Sequence, residues 1–186
     1  FSFGMLWEAN DWLTLGFSYK SESVSDLEGD YSMEYTSNFV KTMKGLQEGG
    51  LDAILPLLDG GRVNATDVEK GTVKTEYIVP QTVSFGASLQ VMPDLKVNLD
   101  AKWIEYSRWD ELTFSFSQNN DFLTLASVIN TLAGLDYADP DEMRIPRKYE
   151  DTWSWAIGAE YQWNDNIVLR AGYEPRSSAI PEDRTD

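Results

Sequence analysis

Residues 153–173 read WSWAIGAEYQWNDNIVLRAGY, and their alternation decides the fold. Successive side chains of a strand point to opposite faces. Trp153, Trp155, Ile157, Ala159, Tyr161 and Trp163 therefore share one face, and Ser154, Ala156, Gly158, Glu160 and Gln162 share the other. Asn164-Asp165 is a polar corner of the kind that reverses a chain. Beyond it Ile167–Tyr173 alternates again, setting Leu169, Ala171 and Tyr173 against Arg170, Gly172 and Glu174. The stretch predicts two antiparallel strands joined by a tight turn.

The same device occurs twice more. Phe3–Trp7 turns at Asn10-Asp11 into Trp12–Tyr19, and Val83–Val91 turns at Pro93-Asp94 into Leu95–Trp103. In these arms too one face is apolar, as in Leu13, Leu15, Phe17 and Tyr19. The other collects small and polar residues, among them Gly16, Ser18, Ser84, Gly86, Ser88, Ser154, Gly158 and Gly172. Small residues lower strand propensity, so their recurrence on one face implies that space is limited there, as it is inside a barrel. Trp7, Trp12, Trp103, Trp153 and Trp163 fall near strand ends, where a membrane barrel carries its aromatic girdle. Tight corners at one end and long irregular segments at the other complete the pattern. The fold class expected is all-β, a transmembrane antiparallel β-barrel. A soluble β-sandwich serving binding or adhesion is the alternative. Thr72–Met92 and Leu95–Ser117 read as strands longer than the ~9–11 residues that cross a bilayer, with Pro80 interrupting the first.

Composition narrows the chemistry. The 186 residues start at Phe1 without an initiator Met, which reads as a mature or excised piece. No apolar run approaches the ~18 residues of a membrane helix, but alternating strands keep mean hydropathy low in any case, here −0.39. Histidine and cysteine are both absent, which excludes Ser-His and Cys-His catalysis and Cys/His zinc sites. A net charge of −16 argues against nucleic-acid binding. Loop acids such as Asp26, Glu28 and Asp30, or Asp139, Asp141 and Glu142, lack the spacing of a calcium loop. No metal or cofactor is expected; the acids read as a solvated surface or as partners for cations bridging to lipopolysaccharide. Asp100 with Glu105, or Glu160 with Glu174, are acidic pairs of the kind glycoside hydrolysis uses, but nothing marks them out and no enzyme is expected.

Two insertions, 36–60 and 120–137, change period from two to about 3.6. In the first, Phe39, Val40, Met43 and Leu46, then Leu51, Ile54, Leu55 and Leu58, follow helical spacing, and Gly49-Gly50 separates two short helices. Thr36 or Ser37 supplies the cap. In the second, Phe122, Leu123, Leu125, Ala126, Ile129, Leu132 and Leu135 do the same, with Gly134 as the stop. These stripes are more apolar than exposed loops need to be, and apolar patches mark binding sites. Packing of the stripes on one another is the plainer reading.

Five segments in order carry a family resemblance: Leu27-Glu28-Gly29-Asp30, Pro80–Ala87, Lys102–Trp109, Asp151–Tyr161 and Leu169–Tyr173. Together they resemble the FadL family of outer-membrane transporters for long-chain fatty acids and other hydrophobic compounds. The likeness covers the strand regions and is weak in the helical insertions. It implies a 14-stranded barrel plugged by an N-terminal hatch, with helical extracellular loops forming an apolar capture groove and a lateral opening in the wall. Residues 1–186 would then be the middle of one such barrel domain in the bacterial outer membrane, about six strands of it, without the hatch. The implied function is passive uptake of a long-chain fatty acid, alkane or aromatic hydrocarbon by a monomer in contact with outer-membrane lipid and lipopolysaccharide. Phe39, Val40, Met43, Leu46, Ile54, Leu55, Leu58, Phe122, Leu125 and Ile129 are the candidate capture residues. A fatty-acid carboxylate would need a cation inside the barrel. Lys20, Lys102 and Arg170 point that way by parity, unless they pair with Glu22, Asp100, Glu160 or Glu174.

Overall fold

The computed structural model describes residues 1–50, 53, 55, 62–134 and 139–181. In chain order its strands are β1 (Ser2–Asn10), β2 (Leu13–Lys20), β3 (Ser23–Glu34), β4 (Val68–Val79), β5 (Thr82–Met92), β6 (Leu95–Ile104), β7 (Glu111–Phe116), β8 (Glu142–Pro146), β9 (Thr152–Asn164) and β10 (Ile167–Tyr173). Helix α1 (Ser37–Glu48) follows β3, and α2 (Asp121–Leu132) lies between β7 and β8. No helix among the described residues is long and apolar enough to cross a membrane.

The chain forms two compact units. The first, Phe1–Val24 with Ile78–Asp110 and Arg147–Asp186, is built on an antiparallel sheet in the order β1-β2-β5-β6-β9-β10. All three expected hairpins are present. Two of them turn one residue later than the sequence reading placed them, at Asp11-Trp12 and Asp165-Asn166. The reason is side-chain chemistry. Asn10 Oδ1 accepts the N–H of Trp12 (3.1 Å) and Asn164 Oδ1 that of Asn166 (3.0 Å), so each Asn opens its turn and does not occupy the corner. All three hairpins also slip register beside the turn, between Glu8 and Asn10, Gln90 and Met92, and Ile167 and Val168. Such bulges sharpen the local twist.

Register turns the alternation into rows. Trp7, Leu15, Ala87, Leu99, Ile157 and Tyr173 stand side by side across all six strands. On the other face Gly4, Ser18, Ser84, Lys102 and Ser154 form a row of mostly small residues. The two long runs do not continue as single strands. Thr72–Met92 breaks at Pro80-Gln81 into β4 and β5, and Leu95–Ser117 breaks at a 3₁₀ turn, Tyr106–Arg108, into β6 and β7. Pro80 has no N–H to give a ladder. At the second break the Arg108 guanidinium pairs with Glu22, and the Trp109 indole N–H donates to the Ile78 carbonyl.

The second unit, Ser25–Tyr77 with Glu111–Pro146, holds a four-stranded sheet in the order β3-β4-β7-β8. The long runs Thr72–Met92 and Leu95–Ser117 reached into β4 and β7, but alternation did not mark β3 and β8 or show that these four strands form a sheet of their own. Thr36 caps α1 through a long contact to the Phe39 N–H (3.4 Å), and Asn120 caps α2 through the Leu123 N–H (2.8 Å). Gly134, at φ +68°, follows α2 in the left-handed region that glycine tolerates. Met43, Leu55, Val63, Ala65 and Val128 make this unit's hydrophobic core, with Phe39, Leu46 and Leu125 packed against it.

Candidate functional site

Helix α2 buries polar and apolar side chains together and still leaves an apolar stripe exposed. Its buried positions are Asp121, Leu123, Thr124, Ser127 and Val128, whereas Phe122, Ile129 and Leu132 are 54%, 55% and 77% exposed. A helix normally turns its apolar stripe to the core. Here a second apolar stripe, at i, i+7 and i+10, faces outward, and hydrogen bonds hold Asp121 inward.

The helical candidates from the sequence therefore part into two groups. Val40, Met43 and Leu55 are buried in the unit's own core, with Met43 and Leu55 at 0% exposure. Phe39, Leu46 and Leu125 are partly buried against that core, and Phe39 also stacks on Tyr35 with ring centroids 4.7 Å apart. Phe122 and Ile129 are exposed, and so is Leu132, which is absent from the sequence-derived set. Helical spacing identified the apolar positions but not which of them the fold would cover. Ile54 and Leu58 lie outside the described residues.

What anchors the polar side of α2 is a buried cluster that sequence reading missed. Asp121 is fully buried and Glu69 is 3% exposed. Asp121 Oδ1 and Oδ2 accept the backbone N–H groups of Asn64 and Ala65, each at 2.7 Å. Glu69 accepts from the Tyr35 hydroxyl (2.7 Å), from Asn64 Nδ2 (2.7 Å) and from the Asp121 N–H. Burial holds the Asp121 carboxyl above its ordinary value; the two N–H donors oppose that shift and the charge of Glu69 adds to it. Burial, reinforced by Glu69, likewise raises the Tyr35 phenol. The partners lie 52 to 57 positions apart, a separation that no local pattern reveals.

The six-stranded sheet supplies the second surface. Phe3, Met5, Trp7, Phe85, Leu99, Trp155 and Ile157 are all exposed on its apolar face. Short side chains at Ala87 and Ala101 leave a shallow depression there of about 610 Å³, bordered by Phe17, Phe85 and Trp155. Covering one such side chain is worth about 2 kcal/mol at about 25 cal/mol per Å². Summed along the face, that rivals the ~5–15 kcal/mol net stability of a domain. Lipid is the surrounding that such a face fits.

The opposite face carries the charged candidates. Arg170 binds Glu160 (2.6 Å), with Lys96 beside Glu160 in the same row. Glu22 pairs with Arg108 and not with Lys20. Lys20 and Lys102 form no ion pair within 4 Å among the described residues. Lys102 borders a recess of about 260 Å³ shared with Ser154, Tyr106 and the Arg176–Glu174 pair. No three carboxylates, histidines or cysteines gather to hold a metal among the described residues.

A family profile described as "Outer membrane protein transport protein (OMPP1/FadL/TodX)" matches residues 1–186. Among solved structures, a Pseudomonas aeruginosa FadL homologue superposes with a TM-score of 0.67 at 22% identity, over 96% of this chain and 34% of its own. The Ralstonia pickettii toluene transporter TbuX gives 0.58 at 17% identity, over 95% of this chain and 35% of its own. The Pseudomonas putida toluene transporter TodX gives 0.57 at 18%, over 97% and 36%. The chain thus spans about a third of the length of the structures it resembles. No curated protein matches it in sequence.

Proposed function

The chain belongs to the OMPP1/FadL/TodX family of outer-membrane transport proteins, and from that premise we propose that it forms part of the wall and the capture loops of a channel for passive uptake of hydrophobic compounds. The apolar face of the six-stranded sheet lies against outer-membrane lipid in this reading, and the small-residue face lines the lumen. The acidic loops meet lipopolysaccharide, and the protein acts as a monomer without enzymatic chemistry. The observation that carries the proposal is the outward apolar stripe of α2, Phe122, Ile129 and Leu132. A hydrophobe leaving water gains by covering these side chains, which cost free energy for as long as they stay wet.

The lumen face bears on the choice of cargo. An aromatic hydrocarbon or an alkane needs only the apolar stripe. A long-chain fatty acid also needs a cation, and Lys102 is the candidate best placed for it, because Arg170 is already held by Glu160. The test is binding to the full-length protein in detergent, comparing a fluorescent long-chain fatty acid with a hydrocarbon of similar size. Phe122→Ser with Ile129→Ser should weaken both ligands by about tenfold, since roughly 1.4 kcal/mol of lost burial is a factor of ten. Lys102→Met should weaken only the acid. Unchanged affinity in the Phe122/Ile129 variant would remove α2 from the capture surface.

A further inference from the structure

The small-residue face of the six-stranded sheet gathers charge where the chain leaves β10. The strand ends at Tyr173, two positions before Pro175, which has no N–H to give the ladder. Pairing with β9 then resumes in the same register: Gly172 stands opposite Gly158, Tyr173 opposite Ile157 and Arg176 opposite Ser154. Ser177 fastens the segment, with its N–H on the Trp153 carbonyl (3.2 Å) and its Oγ accepting the Trp153 N–H (3.0 Å). On its other side Ser154 has Lys102 as its partner. Lys102, Ser154 and Arg176 thus form one row, and the two cations flank the serine from backbones about 10 Å apart. Glu174 shares their face, two positions before Arg176. Its Oε1 accepts the Arg176 Nε–H (2.9 Å) and its Oε2 an Nη2–H (3.2 Å). That two-point grip fixes the plane of the guanidinium and leaves Nη1 for another acceptor. The recess of about 260 Å³ between these side chains is lined, among the described residues, by two cations and one carboxylate. Asp100 stands one row nearer the tight turns, opposite Ala156, and is not part of the lining.

We propose that this recess is a seat for the carboxylate of a singly charged, amphiphilic cargo: Lys102 and Arg176 hold the head group between them over Ser154, and Glu174 is a positioning residue that aims Arg176 and leaves the recess one positive charge in excess. The proposal deepens the transport reading and rests on it. That reading asked for one cation, Lys102; the row adds Arg176, whose pairing with Glu174 does not exhaust its donors. The excess charge matches a monocarboxylate. A head group with two negative charges would meet the Glu174 carboxylate uncompensated, and like-charge juxtaposition disfavours such a partner. The recess, about 260 Å³, is smaller than the ~300–1,000 Å³ of pockets that enclose a whole drug-sized ligand. It therefore takes the head group and leaves the apolar body to other surfaces. Its place suits that division. Ile104 and Thr152, paired in the last row before the second long insertion, also line it, so the seat lies at the end of the wall from which the insertions leave.

The experiment is calorimetric titration of the full-length protein in a nonionic detergent at about pH 8, with three probes of equal chain length: octanoate, octanol and octyl phosphate. At that pH the carboxylate carries one charge and the phosphate close to two. The parent protein should bind octanoate about tenfold more tightly than either octanol or octyl phosphate. Arg176→Met should bring octanoate down to the level of octanol, while octanol itself binds as before and reports an intact fold. Glu174→Gln keeps the shape and removes the negative charge, so octyl phosphate should gain about tenfold and the preference for the carboxylate should vanish. Loss of structure would instead weaken all three probes together. Octanoate binding that survives Arg176→Met undiminished overturns the two-cation seat. A Glu174→Gln protein with the parent's ratio of carboxylate to phosphate affinity overturns the role of Glu174. If a variant does not fold, raising the salt on the parent protein decides: octanoate should lose affinity and octanol should not, and an equal response overturns the seat. A parent protein that binds octanol but shows no preference for octanoate keeps its capture surface and loses the seat. One that binds neither loses the transport reading and the seat with it.

Discussion

Trp103 and Trp153 stand opposite each other on the neighbouring strands β6 and β9, with ring centroids 6.5 Å apart and planes tilted by 43°. They sit where the sheet gives way to the second long insertion, at the girdle position of a membrane barrel. A tilted aromatic pair contributes about 0.5–1.5 kcal/mol beyond burial. A double-mutant cycle of Trp103→Ala and Trp153→Ala, read by urea unfolding in lipid vesicles, should return a coupling energy in that range. Additive single effects would show that the two rings act independently.

Leu99 and Asn98 are adjacent in β6 but occupy opposite faces. Leu99 lies in the apolar row with Ala87 and Ile157, and Asn98 lies between Ser88 and Gly158. Arginine on the lipid face near the midplane costs about 2–4 kcal/mol. Leu99→Arg should therefore depress folding into vesicles by that amount, while Asn98→Arg, with small neighbours on the lumen face, should fold nearly as well as the parent. Equal losses would contradict the assignment of faces.

The two helix caps differ in quality. Asn120 holds the Leu123 N–H at 2.8 Å, whereas Thr36 reaches the Phe39 N–H only at 3.4 Å. Losing a good cap costs about 0.5–2 kcal/mol. Asn120→Ala should lower exchange protection in α2 by an amount in that range, and Thr36→Ala should lower it less in α1. The reverse order would mean that Asn120 matters little as a cap.

Gly71 and Gly86 are both crowded, but by different neighbours. A Cβ at Gly86 would meet Asp100 Oδ1 at 2.9 Å, the free end of a side chain that can swing away. At Gly71 it would meet Ser117 Oγ at 2.6 Å and the Tyr31 ring at 2.9 Å. Ser117 is fixed by the Thr72 N–H, and Tyr31 is packed edge-on against Phe116. Gly71→Ala should cost about 1–3 kcal/mol as overpacking and Gly86→Ala less than about 1 kcal/mol, measured as shifts in the unfolding midpoint. Comparable midpoints would show that the Tyr31 pocket yields.

Much of this was legible in the sequence because one face of each wall strand is apolar throughout. That pattern fixed the hairpins, the faces and the sense of the register, and the change of period located both helices. The four-stranded sheet was only partly legible: the long runs reached β4 and β7, but β3 is exposed along most of its length and carries no apolar alternation to read. The break at Tyr106–Arg108 escaped notice because it rests on Glu22, 86 positions away. The outward turn of α2 escaped for a related reason. Its orientation is set by Glu69, Asn64 and Ala65, whose N–H and carboxylate contacts only the folded chain brings together.

The wall also closes over its own interruptions. The chain leaves β2 at Lys20 and re-enters at Thr82, its direct partner in the ladder, and it leaves β6 at Ile104 and re-enters at Thr152, again its direct partner. To the sheet, residues 21–81 and 105–151 are each the loop of a hairpin, however much structure they contain. Closure entropy grows only slowly with loop length, and the β4–β7 ladder and the core shared by Met43 and Val128 bind the two segments into one cassette. A lineage, or a protein engineer, can replace the pair together and leave the rows of the six-stranded sheet untouched.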